Sequence, residues 1–280
     1  MKHFTITTGV LALLGLSVFS PGWSQAPAQG QGQAQPAQGQ GQAQPGTPAA
    51  PAAPQASKEE VTAYNKFVND SKVAPDARQK ITAGETFLGA FPNSMYAGAV
   101  YATLAPAYLD VNQPDKMIDA GTKALAADPN NVDVLPLMAW AIPRRNGTTA
   151  QQLDMAMNYA KRAINLLATM PKPTEMDDAT FAKIKNDKLA QCRSGMGTAY
   201  FKTGHYDEAV TELAQAVRLD SSPDPVDYYV LGVSNDRGNH FTAAIDAFNK
   251  CAAAPGPLQA NCKNLSAETT KKKGTMLEAQ

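Results

Sequence analysis

One pattern occurs twice between Arg193 and Cys251, and it constrains the fold more than any other feature of the chain. Gly197-Thr-Ala-Tyr200, Gly204-His-Tyr206, Ala209, Leu213 and Ala216 align with Gly232-Val-Ser-Asn235, Asn239-His-Phe241, Ala244, Phe248 and Cys251, each pair offset by 35 residues. Small residues recur at Gly197/Gly232, Ala209/Ala244 and Ala216/Cys251, as two helices require where they approach closely. Bulky residues recur at Tyr206/Phe241 and Leu213/Phe248, where a side chain must fill the space between helices. In this register Ala209 and Ala244 mark the closest approach, and Glu212 lies off it. Helix pairs of this kind each leave an apolar face open, which stacking against the next pair buries.

The same rhythm extends upstream. Tyr101, Leu104, Ala105 and Tyr108 occupy first-helix positions, and Lys123-Ala-Leu-Ala-Ala-Asp-Pro-Asn-Asn131 ends a second helix that Pro129 cannot continue. Within that pair Met117 and Gly121 depart from the small-then-aromatic order, so its packing must differ locally. A third pair runs through Met138, Ala139 and Ile142 to Ala156, Ala160, Ala163 and Ile164. Its turn is lengthened by Pro143-Arg-Arg-Asn-Gly147, and Thr149 and Gln152 are spaced as a capping box.

The first pair opens at another capping box, Ser57-Lys-Glu-Glu60, with Val61, Tyr64, Phe67 and Val68 on one face. Its second helix is expected from near Pro75, with Ala77, Ile81, Gly84 and Leu88 inward, ending before Pro92. A long helix is expected over Asp177 to Lys202, and Pro225 after Asp224 opens the fifth pair. After Pro255-Gly-Pro257 a lone helix is expected from Leu258 to about Lys273, with Lys271-Lys-Lys273 favourably placed at its C-terminal end.

These residues resemble the tetratricopeptide repeat, whose period is about 34 residues. The resemblance implies an all-α, right-handed superhelical solenoid: about five helical hairpins over residues 57–254, then a C-terminal capping helix and tail over 255–280. Phe91-Pro-Asn-Ser94 followed by the Ala-rich run Tyr96 to Leu104 is similar to exported bacterial cell-envelope members of the family. In the family, fixed positions of each first helix line a concave groove that holds a protein or peptide. Carried over, those positions are Gln191, Ser194, Thr198, Phe201 and Lys202 in the fourth unit, and Val226, Tyr229, Val233, Asp236 and Arg237 in the fifth; the third contributes Trp140 and Arg144. Two readings stand for the aromatic members: Trp140, Phe201 and Tyr229 either face a ligand or pack between hairpins. The Lys and Asn pattern with which some members clamp a peptide carboxylate is absent, since Ser194 and Thr198 stand in its place.

Ahead of the repeats, Met1 to about Ala28 reads as an export signal, with an apolar core from Val10 to Phe19 that is short for a membrane span. Residues 29–56, rich in Gln, Gly, Ala and Pro and free of charge, read as a disordered linker because nothing there offsets the entropy of ordering. The protein is therefore expected in the periplasm or outside the cell, with no stable membrane insertion once the signal is cut. An uncut signal would instead make it a membrane-tethered spacer.

The 280 residues carry 25 Lys+Arg and 25 Asp+Glu, which leaves no basic field for nucleic acid. Of the three cysteines, Cys251 and Cys262 flank a short turn and can meet in a disulfide, unless Cys251 merely fills a small-residue slot; Cys192 reads as a buried thiol. His205 and His240 fall in turns, and Asp177-Asp178 and Asp224/Asp227 read as helix caps and N-terminal charges. Neither a metal-ligand spacing nor a phosphate loop nor a nucleophile elbow is present, so the expectation is a binding protein without cofactor or metal, not an enzyme.

Overall fold

The computed structural model describes residues 55–73 and 76–278. The expected export signal, all but the end of the expected linker, and Pro75 lie outside the described residues. Eleven helices and no strand occur among the described residues: α1 (Lys58–Val73), α2 (Ala77–Ala90), α3 (Ala97–Asp110), α4 (Pro114–Ala127), α5 (Val134–Arg144), α6 (Ala150–Ala168), α7 (Asp178–Lys202), α8 (Tyr206–Leu219), α9 (Pro225–Arg237), α10 (Phe241–Ala253) and α11 (Gln259–Glu278). Helices α1 to α10 pair in sequence as five hairpins, and the second helix of each hairpin packs on the first helix of the next. The array is an all-α solenoid closed by α11.

The helix ends follow from local chemistry. Asp76, Asp177 and Asp224 each accept from a backbone N–H in the following turn, at 2.9, 2.8 and 2.9 Å, and Thr149 with Gln152 forms both halves of a capping box. At α1 only half of the expected box forms. Ser57 Oγ accepts from Glu60 N at 3.1 Å, but the Glu60 carboxylate accepts from Ser94 Oγ at 2.6 Å. A contact between hairpins replaces the local one, and it ties α1 to the turn before α3.

The repeated small and bulky positions turn out to be two sides of one contact. A β carbon at Gly197 would lie 2.5 Å from Leu213 Cγ, and one at Gly232 would lie 2.5 Å from Phe248 Cδ1. Ala209, Ala244, Ala216 and Cys251 are all fully buried where the paired helices close on each other. The departure at Gly121 has its reason too, because Met138 from α5 fills the space an aromatic would need: its Sδ would be 2.3 Å from a β carbon at 121.

Helix α7 crosses α5 most closely at Gly195, where an added β carbon would sit 2.2 Å from the Ala139 carbonyl oxygen. Pro143 lies inside α5 and has no N–H to donate to that carbonyl. The freed oxygen therefore faces a residue of α7 that has no side chain, and the close crossing brings Arg144 of α5 and Ser194 of α7 within reach of α9.

The closing helix differs from expectation at its far end. It runs on to Glu278, so Lys271-Lys-Lys273 lies inside it and not at its C-terminus. Gly274 does not stop it, and the lysines bind sideways instead: Lys272 Nζ is 3.1 Å from Asp236 Oδ2, and Lys273 Nζ donates to Thr242 Oγ1 at 2.9 Å. Cys251 and Cys262 lie with Cα atoms 5.9 Å apart and their sulfurs joined, beneath Tyr228, Tyr229 and Leu258.

Candidate functional site

The first helices α5, α7 and α9 bring a cluster of polar side chains together at the α5–α7 crossing. Arg144 Nη2 donates to Asp227 Oδ1 at 2.5 Å and to Ser194 Oγ at 2.8 Å, and Ser194 Oγ in turn donates to Asp227 Oδ1 at 2.6 Å. Arg144 Nη1 donates to the Trp140 carbonyl at 3.3 Å, while Asp224 Oδ2 stands 3.8 Å from Nη2. The guanidinium lies over the Trp140 ring, 4.3 Å from its centroid. One cation thus links three successive hairpins and fixes an indole one turn away on its own helix.

Burial decides the electrostatics of this cluster. Asp227 is 4% exposed; its burial pushes the carboxyl above the ordinary carboxylate value, against the pull of Arg144 and the Ser194 hydroxyl. Arg144 Nε is buried without a partner, so the guanidinium is held by its outer nitrogens alone. The Ser194 hydroxyl is buried as well, and the whole arrangement acts as a lock between helices.

Of the residues picked from the sequence, Trp140, Arg144 and Ser194 are brought together here. Ser194 and Thr198 do not line an open groove as the resemblance implied: both are buried, and Thr198 Oγ1 donates to the Ser194 carbonyl at 2.9 Å. They sit where α7 packs on its neighbours, and no room remains for a ligand. Gln191 is exposed. Phe201 is half-buried, with its ring centroid 6.1 Å from that of Tyr206. Lys202 is exposed but reaches back to donate to the Arg145 carbonyl at 2.6 Å, and desolvation holds its pKa below the usual lysine value. Tyr229, Val226 and Val233 are half-buried. Asp236 binds Lys272 of α11, and Arg237 is exposed.

Asp227 was missed as a member of this site. Its place just inside the start of α9 marks it as a charge favouring the helix N-terminus, and nothing along the sequence signals that α9 packs that turn against Arg144. A second polar cleft, of about 350 Å3 between α2, α3 and α4, was also unforeseen. There Tyr108 donates to Glu85 at 2.8 Å, and Lys116 and Lys123 lie over the Tyr108 and Tyr101 rings. Among the described residues there is no cluster of metal-binding side chains, and no helix is long and apolar enough to cross a membrane.

Comparison with known proteins agrees with this architecture. Residues 190–223 match the family model described as tetratricopeptide repeat. Among curated proteins, none matches the chain in sequence. Two solved structures resemble it at 18% identity and a TM-score of 0.50. One is PilW, described as a widely conserved type IV pilus biogenesis factor, with 78% of this chain and 88% of that one covered. The other is YrrB, described as a tetratricopeptide protein with an unusual peptide-binding site, with 76% and 94% covered. Both likenesses are of fold. With a matched repeat at 190–223, five stacked hairpins and the small-against-bulky contact recurring at a 35-residue offset, the chain is a tetratricopeptide-repeat protein.

Proposed function

We propose that the chain is an exported adaptor that holds a protein or peptide partner along the face formed by its first helices, in bacterial envelope assembly or maintenance. The observation that carries this reading is the Trp140 platform. A half-buried indole is fixed by Arg144, and Arg144 is itself fixed by Asp227 and Ser194 from the next two first helices. A rigid aromatic with little left to order on binding is an efficient anchor for a partner side chain. Export rests on the apolar segment Val10 to Phe19 and the small residues after it.

The test is site-specific photocrosslinking in cells. A photoreactive residue at Gln191 or Val226 should give discrete adducts, lost on Trp140→Ala, while one at Asp154 on α6 should not. Adducts that form equally from Asp154, or that persist without Trp140, overturn the reading. N-terminal sequencing of the protein from the envelope fraction checks export, with a chain beginning near Ala28 expected. An intact Met1 in the membrane fraction would favour the tethered spacer instead.

A further inference from the structure

We propose that the run Pro45 to Pro54, just ahead of α1, docks as an extended polyproline segment on the stacked Tyr64 and Tyr96 of the first hairpin of its own chain. This docking is independent of the adaptor reading, since neither Trp140 nor the residues that fix it take part.

The run lies outside the described residues, and its sequence carries the first half of the argument. Pro45, Pro48, Pro51 and Pro54 recur at every third residue, with only Gly, Thr and Ala between them. Thr47, Ala50 and Ala53 each precede a proline, which steers them away from the helical region. A polyproline II helix has three residues per turn and rises about 3.1 Å per residue, so in that conformation the four rings line one edge about 9 Å apart. Its backbone makes no internal hydrogen bonds, which leaves its carbonyls open to outside donors. Each proline has already fixed part of the backbone, so docking this run costs less entropy than ordering the Gln- and Gly-rich residues ahead of it.

The receiving surface sits where the chain enters the fold. Tyr64 of α1 and Tyr96 just before α3 stack with centroids 4.2 Å apart and planes within 6°. Both are only half-buried, and among the described residues neither hydroxyl has a hydrogen-bond partner. Val61, one turn before Tyr64, and Met95, next to Tyr96, stay exposed, Met95 at 65%. Ser94 ties this surface to the start of α1: its hydroxyl donates to Glu60 at 2.6 Å and accepts from Tyr96 N at 3.0 Å, while Glu60 N donates to Ser57 Oγ. Tyr64 follows Ser57 by about 10 Å along α1. Pro54 and Pro51 precede Ser57 by chain that extends to about 10 and 20 Å, so both reach the pair. So short a link holds the run at an effective concentration on the order of millimolar, and a contact too weak to keep a free peptide is then occupied. The rings and their apolar neighbours take the proline edge, as aromatic grooves do when they read proline-rich segments, and the two hydroxyls donate to the open carbonyls. Burial, with Tyr96 beside it, raises the Tyr64 pKa and keeps that hydroxyl a donor.

The experiment is hydroxyl-radical footprinting of the full chain, read residue by residue by mass spectrometry. With nothing docked, Met95 at 65% exposure should oxidise faster than Met276 at 45%. Docking is expected to reverse that order and to protect Tyr64 and Tyr96 as well. The variant P48A/A49P/P51A/A52P keeps length and composition but takes two prolines off the edge. In it, oxidation of Met95 should rise about threefold, while Met276 and Tyr228 stay as they were. Y64F/Y96F keeps the rings and removes the donors, and should also release Met95. Far-ultraviolet circular dichroism of both variants checks that the helices persist. Met95 oxidising faster than Met276 in the wild type, or equal protection in the wild type and both variants, would overturn the proposal. Protection that grows with protein concentration would assign the surface to the run of a second copy and overturn docking within one chain.

Discussion

Arg144 and Asp227 are 83 residues apart in sequence and 2.5 Å apart in the folded chain, joined across an intervening helix that contributes Ser194 to the same contact. Removing one partner leaves the other buried without compensation. Asp227→Ala should therefore cost about 3 kcal/mol in urea unfolding, the low end for a buried pair because Arg144 keeps 14% of its side-chain surface exposed. The double change Arg144→Met with Asp227→Leu should cost clearly less, since both charges go together. A double variant as unstable as Asp227→Ala would mean that the contact contributes packing and not charge.

The glycines offer a cleaner comparison, because their surroundings differ while the substitution is the same. At Gly195 an added methyl meets the Ala139 carbonyl oxygen at 2.2 Å, and backbone cannot rotate aside; Gly195→Ala should cost about 2 kcal/mol. Gly89 in α2 and Gly274 in α11 have nothing within 4 Å of the same position. There the change to Ala should stabilise by about 0.5 to 1 kcal/mol through helix propensity. Thermal melts of the three variants decide the matter by sign alone.

Much of this was legible in the sequence because a repeat states its packing twice. Gly197 against Leu213 and Gly232 against Phe248 are one contact, and their 35-residue offset can be read without a structure. What depends on how hairpins are stacked was not legible. Asp227 carries the ordinary mark of a helix N-terminus, and Glu60 that of a capping box, yet the first is taken by Arg144 of α5 and the second by Ser94 in the turn before α3. Glu212 was expected to lie clear of the packing, but its carboxylate accepts from Arg193 at 2.8 Å and is only 13% exposed. Lys271-Lys-Lys273 resembles a helix ending because the sideways partners of Lys272 and Lys273, Asp236 and Thr242, lie in other helices.

That pairing changes which control belongs beside the tightest helix contacts. Ala209→Leu and Ala244→Leu should each cost on the order of 1–3 kcal/mol, because both sites are fully buried. Glu208, exposed on α8, is the position where the same change should do little. Chemical denaturation of the three variants is the measurement, and equal losses at all three would contradict the contact.

Cys192 supplies a pH dependence with a definite sign. Burial pushes its thiol up to about 12, whereas in the unfolded chain it should ionise near 8.5. Between those values the folded state keeps a proton that the unfolded state has lost, so this residue makes stability fall as pH rises, by about 1.4 kcal/mol per unit. The stability difference between wild type and Cys192→Ala should be flat at neutral pH and should shrink or reverse above about pH 9. A difference that is constant to pH 11 would show that the thiol is not held in its neutral form.

The cap is held by one covalent bond and a few side-chain contacts. Cys251 and Cys262 are 11 residues apart in sequence, and closing so short a loop limits the unfolded chain by roughly 3 kcal/mol at most. The bond fastens the start of α11, while Lys272 with Asp236 and Lys273 with Thr242 fasten its far half. Those latter contacts are exposed or partly so and are worth little alone. Reduction should therefore raise hydrogen exchange in α10 and α11 before α3 and α4 respond, and mass spectrometry should find the two thiols bonded in protein taken from the envelope. Unchanged exchange after reduction would mean that side-chain contacts alone hold the cap.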